Sequence, residues 1–421
     1  MEIVQVQAKE IKHPILKPLT LDMRDGLSPN GAAVLAVLVN PRLAALRDQK
    51  GIAAAQLLQA GILPNPQFAY SLDVPTGGNT LGTVNAYGFT FDWDIRTLIT
   101  RRAQLDVGRA QSAAVDLGVA WQEWQVAQAA RLHVYRLVLL EQERAVANEE
   151  EKGLQENVTA VGRAVDLHDM TITSLSAAEA AVQRAHVSVV TIDQQHEQER
   201  LALNQSLGFP PETVIPLQSN IKMDWPQALP TAKEIMAGIE VRRLDLLALK
   251  MGYQSQEARL RAAVRAQFPR INIGFSRLRD TGDVVTRGFV LSISLPIFDR
   301  NQGLIAIERA SRKQLFDEYA DRVFETRAQI SRILADVEFI RRLIEANEKS
   351  ILTLRNLLKT SYRGFLEGNV DVLSYYNARS ELIAKEVEAL RLKQTLTDLN
   401  IALEIEAGEY TSPMENKEVP N

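Results

Sequence analysis

Mostly apolar residues recur every seven positions in two stretches of the chain, with one histidine among them, and the two stretches lie 200 residues apart. The positions are Leu175, Val182, Val189, His196 and Leu203 in the first stretch, and Tyr375, Leu382, Ala389, Leu396 and Leu403 in the second. Each stretch stops at a glycine, Gly208 or Gly408. This spacing buries a narrow seam of one helix against a neighbour. Two copies of one helical unit predict a duplicated architecture.

A longer seven-residue repeat follows Asn301. Its members are Phe316, Val323, Ile330, Val337, Ile344, Ile351, Leu358 and Phe365. Roughly sixty helical residues would span about 90 Å, which is typical of a coiled-coil rod. The matching helix of the first half, about 96–162, has a poorer seam. Glu123, Arg144 and Glu151 stand there where Val323, Ile344 and Ile351 stand in the second half. Divergence of the halves and a slip of register are both open explanations.

Two segments alternate between apolar and polar residues, and each predicts a β-hairpin, over 67–92 and 270–295. The apolar side is formed by Phe68, Tyr70, Leu72, Tyr87, Phe89, Phe91, Ile271, Ile273, Phe275, Phe289, Leu291 and Ile293. The other side is formed largely by serine, threonine, asparagine and aspartate. A lipid-facing wall with a wet lumen gives this alternation, and so does a soluble sheet packed on helices. Four strands are too few to close a barrel, whereas three chains would supply twelve.

The predicted fold is mainly α with a small β part, in two repeats of helix, hairpin, long helix, turn and helix. We expect an extended arm over 1–26, a first repeat over 27–208 with a tip near 163–171, a proline-rich linker over 209–230, a second repeat over 231–410 with a tip near 362–371, and a tail over 411–421. A single helix is expected from Ser28-Pro29 toward Leu58, with serine as its cap.

Composition excludes several classes of protein. The 48 Lys and Arg against 52 Asp and Glu give a net charge of −4, so no nucleic-acid partner is expected. The absence of cysteine excludes disulfides and a lipid-modified cysteine within this sequence. A mean hydropathy of −0.12 argues against a helical membrane protein. No signal peptide is visible in the first 25 residues, and the apolar run at 31–39 is interpreted as a buried helix segment.

No catalytic signature stands out in the sequence. There are five histidines, without a His-x-x-x-His or His-Glu-x-x-His pattern, and no glycine-rich phosphate loop. With 52 acidic residues, a pair of carboxylates carries no information about acid–base chemistry. We therefore expect that the protein is not an enzyme and has no cofactor and no metal site.

Four short motifs carry a resemblance to the TolC-type outer-membrane efflux family that extends over nearly the whole chain. Residues 40–43, Asn-Pro-Arg-Leu, and 243–246, Arg-Leu-Asp-Leu, resemble the helix segments of that family. Residues 63–68, Leu-Pro-Asn-Pro-Gln-Phe, resemble its approach to the first strand. Residues 291–299, Leu-Ser-Ile-Ser-Leu-Pro-Ile-Phe-Asp, resemble its exit from the last strand, and 362–373 resemble its periplasmic tip.

The resemblance implies a passive exit duct in the outer membrane of a Gram-negative bacterium. It implies a homotrimer with a twelve-strand barrel in the outer-membrane lipid, and antiparallel coiled-coil helices that form a periplasmic α-barrel. Its partners would be a periplasmic adaptor, or membrane fusion protein, and a proton-driven inner-membrane pump. Metal cations or small toxic molecules are the expected cargo. The motifs look most like the cobalt–zinc–cadmium type, which would make heavy-metal resistance the role.

The same resemblance places the gate or the adaptor-docking site at the helix tips. The residues are Tyr362, Arg363, Gly364, Gly368, Asn369, Asp371 and Ser374 in the second repeat, and Arg163, Asp166, Asp169 and Thr171 in the first. Phe365 stands where the family has glycine, and Ser374 stands where it often has a second acid. For Asp371, a cation-selective constriction and a helix cap are both open interpretations.

Two other functions are compatible with the sequence. A soluble coiled-coil scaffold would explain the heptads but has no need of four strand-like segments. An outer-membrane duct for type I protein secretion would share the whole architecture.

Overall fold

The computed structural model describes residues 8, 11–19, 25–218, 221, 223, 225–226, 228–367, 369–370 and 372–411. They form two compact units. The first, called the helical unit, takes residues 120–243, 325–411 and the described residues of the first 45. The second, called the sheet unit, takes residues 46–119 and 244–324.

The elements fall into two successive repeats along the chain. The first repeat contains α1 (Pro29–Val39), α2 (Pro41–Gly61), β1 (Gln67–Asp73), β2 (Ala86–Asp94), α3 (Arg96–Asp166) and α4 (Ile172–Leu207). The second contains α5 (Ala232–Met236), α6 (Ile239–Arg242), α7 (Leu244–Arg265), β3 (Arg270–Arg279), β4 (Val285–Ser294), α8 (Gln302–Leu366) and α9 (Val372–Ala407). A mainly helical fold with a small four-stranded sheet is thus confirmed.

The prediction of a single helix from Ser28 toward Leu58 is wrong. Ser28 caps α1 as expected, because its hydroxyl accepts the N–H of Gly31 at 3.0 Å. The helix then ends at Asn40, whose backbone is extended because a proline follows it. The Asn40 amide oxygen accepts the N–H of Arg42 at 2.8 Å and begins α2, which is bent by 51° from α1. Within the described residues, no single helix is long and apolar enough to cross a membrane. Only the bent pair of α1 and α2, taken together, has the required length and composition.

The duplication is visible in matching contacts of the helical unit. Asn40 donates its amide to the carbonyl of Ser206 at 2.7 Å, and Arg243 donates to the carbonyl of Glu406 at 3.2 Å. The glycines that end α4 and α9 both have left-handed backbones, with φ of 70° at Gly208 and 69° at Gly408. A side chain at Gly208 would also collide with the ring of Pro41. The two repeats therefore end their last helices in the same way.

The sheet unit contains one antiparallel sheet in the order β1-β2-β3-β4. The register places Phe68 opposite Phe91, and Phe91 opposite Phe275. Phe275 in turn lies opposite Phe289. Because residues at even spacing along a strand share a face, all twelve predicted apolar residues lie on the same face. The two hairpins pair with each other through β2 and β3, which the sequence did not indicate.

The long helices of the helical unit are antiparallel neighbours joined by ion pairs. Between α3 and α9 these join Arg136 to Asp398 at 2.9 Å and Glu143 to Arg391 at 2.8 Å. As the residue number rises along α3 it falls along α9, which establishes the antiparallel direction. On another side, α3 meets α4 through His133 and Glu199 at 2.7 Å.

The position of α3 between two neighbours explains its poor heptad. Glu123 and Glu143 are buried in α3 at 7% and 3% exposure, and Glu143 is held by Arg391. A helix that packs on two sides needs more than one seam, so a single heptad frame describes it badly. In α8 the heptad is buried in the middle, where Ile330 is 0% exposed. Toward the ends its members are more exposed, with Phe316 at 59% and Phe365 at 38%.

Candidate functional site

The apolar face of the sheet is uncovered. Nine of the twelve predicted residues are exposed, including Phe68 at 67%, Phe275 at 60% and Phe289 at 60%, and the other three are half-buried. Neighbouring rings touch across the strands, with 5.1 Å between Tyr70 and Phe89 and 5.4 Å between Phe275 and Phe289. An exposed apolar patch of this kind marks a site of interaction with a membrane or with another protein.

The opposite face of the sheet is polar and has small residues. Asn272 donates its amide to the carboxylate of Asp92 at 3.1 Å across β2 and β3. Gly88 and Gly288 leave no room for a Cβ, since one would lie within 2.9 Å of the hydroxyl of Ser71 or Ser276. This face therefore offers mainly hydroxyls, amides and carboxylates, with Leu278 and Val290 as exposed apolar exceptions, whereas the first face offers mainly hydrocarbon.

The tip of the first repeat joins α3 to α4 by a tight turn at 167–171. The carbonyl of Ala164 accepts the N–H groups of Asp169 at 2.8 Å and Met170 at 3.2 Å. Thr171 caps α4, since its hydroxyl accepts the N–H of Ser174 at 3.3 Å. The predicted residues Arg163, Asp166, Asp169 and Thr171 are all exposed.

The tip of the second repeat has the same backbone pattern. The carbonyl of Gly364 accepts the N–H groups of Asn369 at 2.8 Å and Val370 at 3.1 Å. A Cβ at Gly364 would lie 2.6 Å from a methyl of Val370, so the branched side chain requires glycine here, where the first repeat has Ala164 and Met170. Gly364 thus serves the turn although Phe365 stands in the family's glycine position. Gly368 and Asp371 lie outside the described residues.

An aromatic cluster covers the second tip. The ring of Tyr375 lies 5.6 Å from that of Tyr362 and is stacked on Phe365 at 6.0 Å. Of the predicted tip residues, Tyr362 is 50% exposed, and Arg363, Asn369 and Ser374 are exposed. Asn369 donates to the carboxylate of Glu367 at 3.3 Å. The structure joins Tyr362 to Tyr375, a partner that the sequence analysis did not name.

Arg379 of α9 is the residue that sequence reasoning missed. Its guanidinium lies 3.8 Å from Glu149 and 3.7 Å from Glu156, both on α3. It occupies the space above Gly153, where a Cβ would be 2.6 Å from the guanidinium carbon. Beside it, Ser380 donates to Glu150 at 3.1 Å. These contacts, here called the tip clasp (Glu149, Gly153, Glu156, Arg379), join the two repeats near their tips. A glycine within an otherwise regular helix was the only sequence signal.

A buried polar cluster lies at the other end of α9. Arg131 donates to Glu404, and both side chains are at most 5% exposed. Gln128 donates to the same carboxylate at 3.2 Å. The guanidinium of Arg131 lies over the ring of Tyr410 at 4.9 Å, and Tyr410 also meets Trp124 edge-on at 4.9 Å. Burial lowers the pKa of Arg131, but the charge of Glu404, its hydrogen bond to Arg131 and the neighbouring tyrosines together outweigh burial, so the pKa is raised overall.

Tyr410 gives a prediction for alkaline solution. Burial raises the pKa of Tyr410 to about 12, against about 10 in the unfolded chain. Because the pKa of Tyr410 is higher in the folded state, the contribution of this proton to the free energy of unfolding is complete below pH 10. It is lost as the pH rises to 12. We expect the wild type to lose of order 2 kcal/mol of unfolding free energy between pH 10 and 12 that Tyr410→Phe does not lose. The urea midpoint of unfolding is measured for both proteins as a function of pH. If the two curves run parallel, the expected loss at Tyr410 is contradicted.

The second repeat matches a known sequence family. Residues 238–409 match the model of the outer membrane efflux protein family. The predicted resemblance to the outer-membrane efflux family is confirmed. The match includes β3, β4 and the second tip. Among curated proteins, none matches the chain significantly.

Solved structures share the fold over nearly the whole chain. CusC, whose structures concern folding and transmembrane channel formation, has a TM-score of 0.73 and 17% identity, with 95% of this chain and 98% of CusC covered. The Vibrio cholerae outer membrane protein VceC has a TM-score of 0.74 and 15% sequence identity, with 91% of this chain and 97% of VceC covered. The open-state Neisseria gonorrhoeae outer membrane channel MtrE has a TM-score of 0.71 and 18% sequence identity, with 96% of this chain and 98% of MtrE covered. The chain therefore has the fold of outer-membrane efflux channels.

Proposed function

We propose that this protein is the outer-membrane channel of a three-part efflux system, a passive duct that is gated at its helix tips. It works as a homotrimer, with a periplasmic adaptor and a proton-driven inner-membrane pump as partners. Its cargo is metal cations or small toxic molecules. The resemblance to the cobalt–zinc–cadmium type supports cations, and the pump selects the cargo.

The uncovered apolar face of the sheet is the observation that carries the proposal. A soluble scaffold would bury this face against helices, but Phe275 and Phe289 are 60% exposed. The strands β1 and β4 are the edges of the sheet among the described strands, so each has an unpaired side. Three copies would pair these edges and give a closed ring of twelve strands. The apolar face would then meet lipid and the polar face a wet lumen.

The helical unit supports a gate in place of chemistry. Each long helix that follows a hairpin, α3 or α8, leads to a tip with the same turn. The tip clasp joins α3 of the first repeat to α9 of the second by side-chain contacts alone. Contacts of this kind are weak enough to break when a partner binds the tips. Tyr362, Phe365 and Tyr375 offer such a partner an aromatic surface.

Neighbouring residues of β4 provide a matched test of the membrane proposal. Leu291 is 54% exposed on the apolar face, and Ser292 is exposed on the polar face. A lysine facing lipid costs about 2–4 kcal/mol at mid-membrane, and a lumen lysine costs little. We expect Leu291→Lys to reduce the trimer in the outer membrane at least about tenfold, and Ser292→Lys to leave it near the wild-type level.

The measurement is the mass of the detergent-extracted oligomer from outer-membrane fractions, with the chain expressed behind a bacterial export signal. A wild-type trimer confined to that fraction supports the duct. A wild-type monomer or dimer that is soluble without detergent, with equal behaviour of the two lysine variants, would leave the scaffold as the better account.

A further inference from the structure

Two arginines interrupt the apolar face of the sheet at one level. Arg277 of β3 lies directly opposite Arg287 of β4. On its other side Arg277 lies opposite Phe89, which lies opposite Tyr70. One row across the face is therefore Tyr70, Phe89, Arg277 and Arg287, here called the arginine row. Both arginines are exposed.

The arginine row brings like charges together. Side chains directly opposite in an antiparallel pair have Cβ atoms about 4.5–5.5 Å apart, and like charges there are destabilising. In the part of the chain that the structure describes, no carboxylate lies within 4.0 Å of either guanidinium. Two adjacent guanidinium groups without a counter-charge form a site that an anion would stabilise.

The nearest acidic residues in sequence already have partners. Asp283 holds Arg279, with 2.6 Å between its carboxylate and the Arg279 Nε. Asp280 accepts the N–H groups of Gly282 at 2.9 Å and Val284 at 3.0 Å and so forms the hairpin loop. The loop therefore supplies no carboxylate for Arg277 and Arg287, and their anion has to come from outside the hairpin.

The arginine row lies near the loop end of the apolar band. The next row toward the helices is Phe68, Phe91, Phe275 and Phe289, and the rows beyond it contain isoleucine, leucine and tryptophan. On the other side of the arginine row only one further row, Leu72, Tyr87, Arg279 and Val285, precedes the loop of the second hairpin. Arginine is tolerated on a lipid-facing wall at this depth, where the headgroups begin.

We propose that Arg277 and Arg287 together bind the phosphate of an anionic lipid headgroup in the leaflet at the hairpin-loop end of the sheet. This rests on the proposed function, which places the apolar face in the outer membrane and the loops outside. Both guanidinium groups donate to phosphate oxygens, which relieves their mutual repulsion. The acyl chains of the same lipid lie along Phe275 and Phe289, one row below.

The geometry favours a lipid over free phosphate. A free anion would gain only the two exposed guanidinium groups, which water screens. A lipid gains the same two groups and also covers the phenylalanine row, so that one molecule satisfies the charged and the apolar parts of the surface.

The test compares lipid binding by trimers purified from outer membranes. The probe is lipopolysaccharide, whose lipid part carries phosphate, and the amount retained after washing is measured by native mass spectrometry. We expect the double variant Arg277→Gln/Arg287→Gln to bind it about tenfold more weakly than the wild type. The double variant removes a repulsion, so its trimer is retained. Arg270→Gln is the matched control, because Arg270 is an exposed arginine of β3 on the polar face.

Each outcome decides between named alternatives. Equal binding by the double variant, or an equal loss in Arg270→Gln, overturns the lipid site. Displacement of the lipopolysaccharide by inorganic phosphate at the same molar concentration overturns the lipid as occupant. A wild type that forms no outer-membrane trimer overturns the proposed function itself, and that result is separate because it is read from oligomer mass before any lipid is added.

Discussion

Replacing Glu404 by alanine should lower the free energy of unfolding by about 3–5 kcal/mol. The carboxylate is fully buried, and Arg131 and Gln128 both donate to it. Its second oxygen accepts the N–H of Thr411 at 3.3 Å. Without it, Arg131 keeps its charge at 5% side-chain exposure with no ionic partner in the cluster. Such an uncompensated buried charge is among the most destabilising changes that one substitution can make.

The matched control is Glu388→Ala on the same helix. Glu388 is exposed and forms an ion pair with Lys385, three residues earlier, so a loss of about 0.5 kcal/mol or less is expected. Urea unfolding in detergent micelles, followed by circular dichroism at one protein concentration, gives both values. The double variant Arg131→Met/Glu404→Leu should recover most of the loss, because it removes both charges. Equal shifts for Glu404→Ala and Glu388→Ala would refute the argument.

Replacing Arg379 by alanine should raise the open probability of the channel in planar bilayers. The ion pairs with Glu149 and Glu156 are partly solvent-exposed, so together they contribute about 1 kcal/mol per chain. Three clasps in a trimer would contribute about 3 kcal/mol to the closed state, and their loss would shift the closed–open equilibrium about 100-fold. The effect is large because one substitution acts three times on a single gate.

Two further variants make the gating prediction specific. Gly153→Ala keeps every charge but puts a methyl group where the Arg379 guanidinium lies, so it should raise the open probability by less. Arg355→Ala removes the 2.8 Å pair with Glu386, which joins α8 to α9 within one repeat. Because α8 and α9 belong to the same repeat, they move together if the gate opens between repeats. No change in open probability is therefore expected for Arg355→Ala. An increase in Arg355→Ala equal to that in Arg379→Ala would contradict a gate at the tip clasp.

Much of the tip could be predicted because its determinants are local. The offset of 200 residues placed Asn369 opposite Asp169, and the two make equivalent backbone hydrogen bonds, to Gly364 and Ala164. The role of Gly364 beside Val370 is a contact over six residues, within reach of sequence reasoning. Arg379 was missed because its partners lie more than 200 positions away on another helix. Nothing in an exposed, charged helix segment indicates which of many carboxylates it will meet. The roles of Gly368 and Asp371 stay predictions.

The break at Asn40 shows the limit of pattern reasoning within one helix. The apolar positions continue through residues 40–43, so periodicity alone extends the helix. The break depends on a proline next to a capping asparagine and on the Ser206 carbonyl, which binds Asn40 from another helix. Sequence contains the first two and gives no sign of the third.

By itself, the sequence determined the duplication, the order of elements and the face on which each strand residue lies. These follow from periods of two and seven residues and from glycines that accept left-handed backbones, all of which act over a few neighbours. Only the tertiary structure decided that the aromatic face is uncovered and that β2 pairs with β3. Those features depend on which distant segments meet and in which register. Burial and charge pairing across the whole chain select that register, which no local pattern can encode.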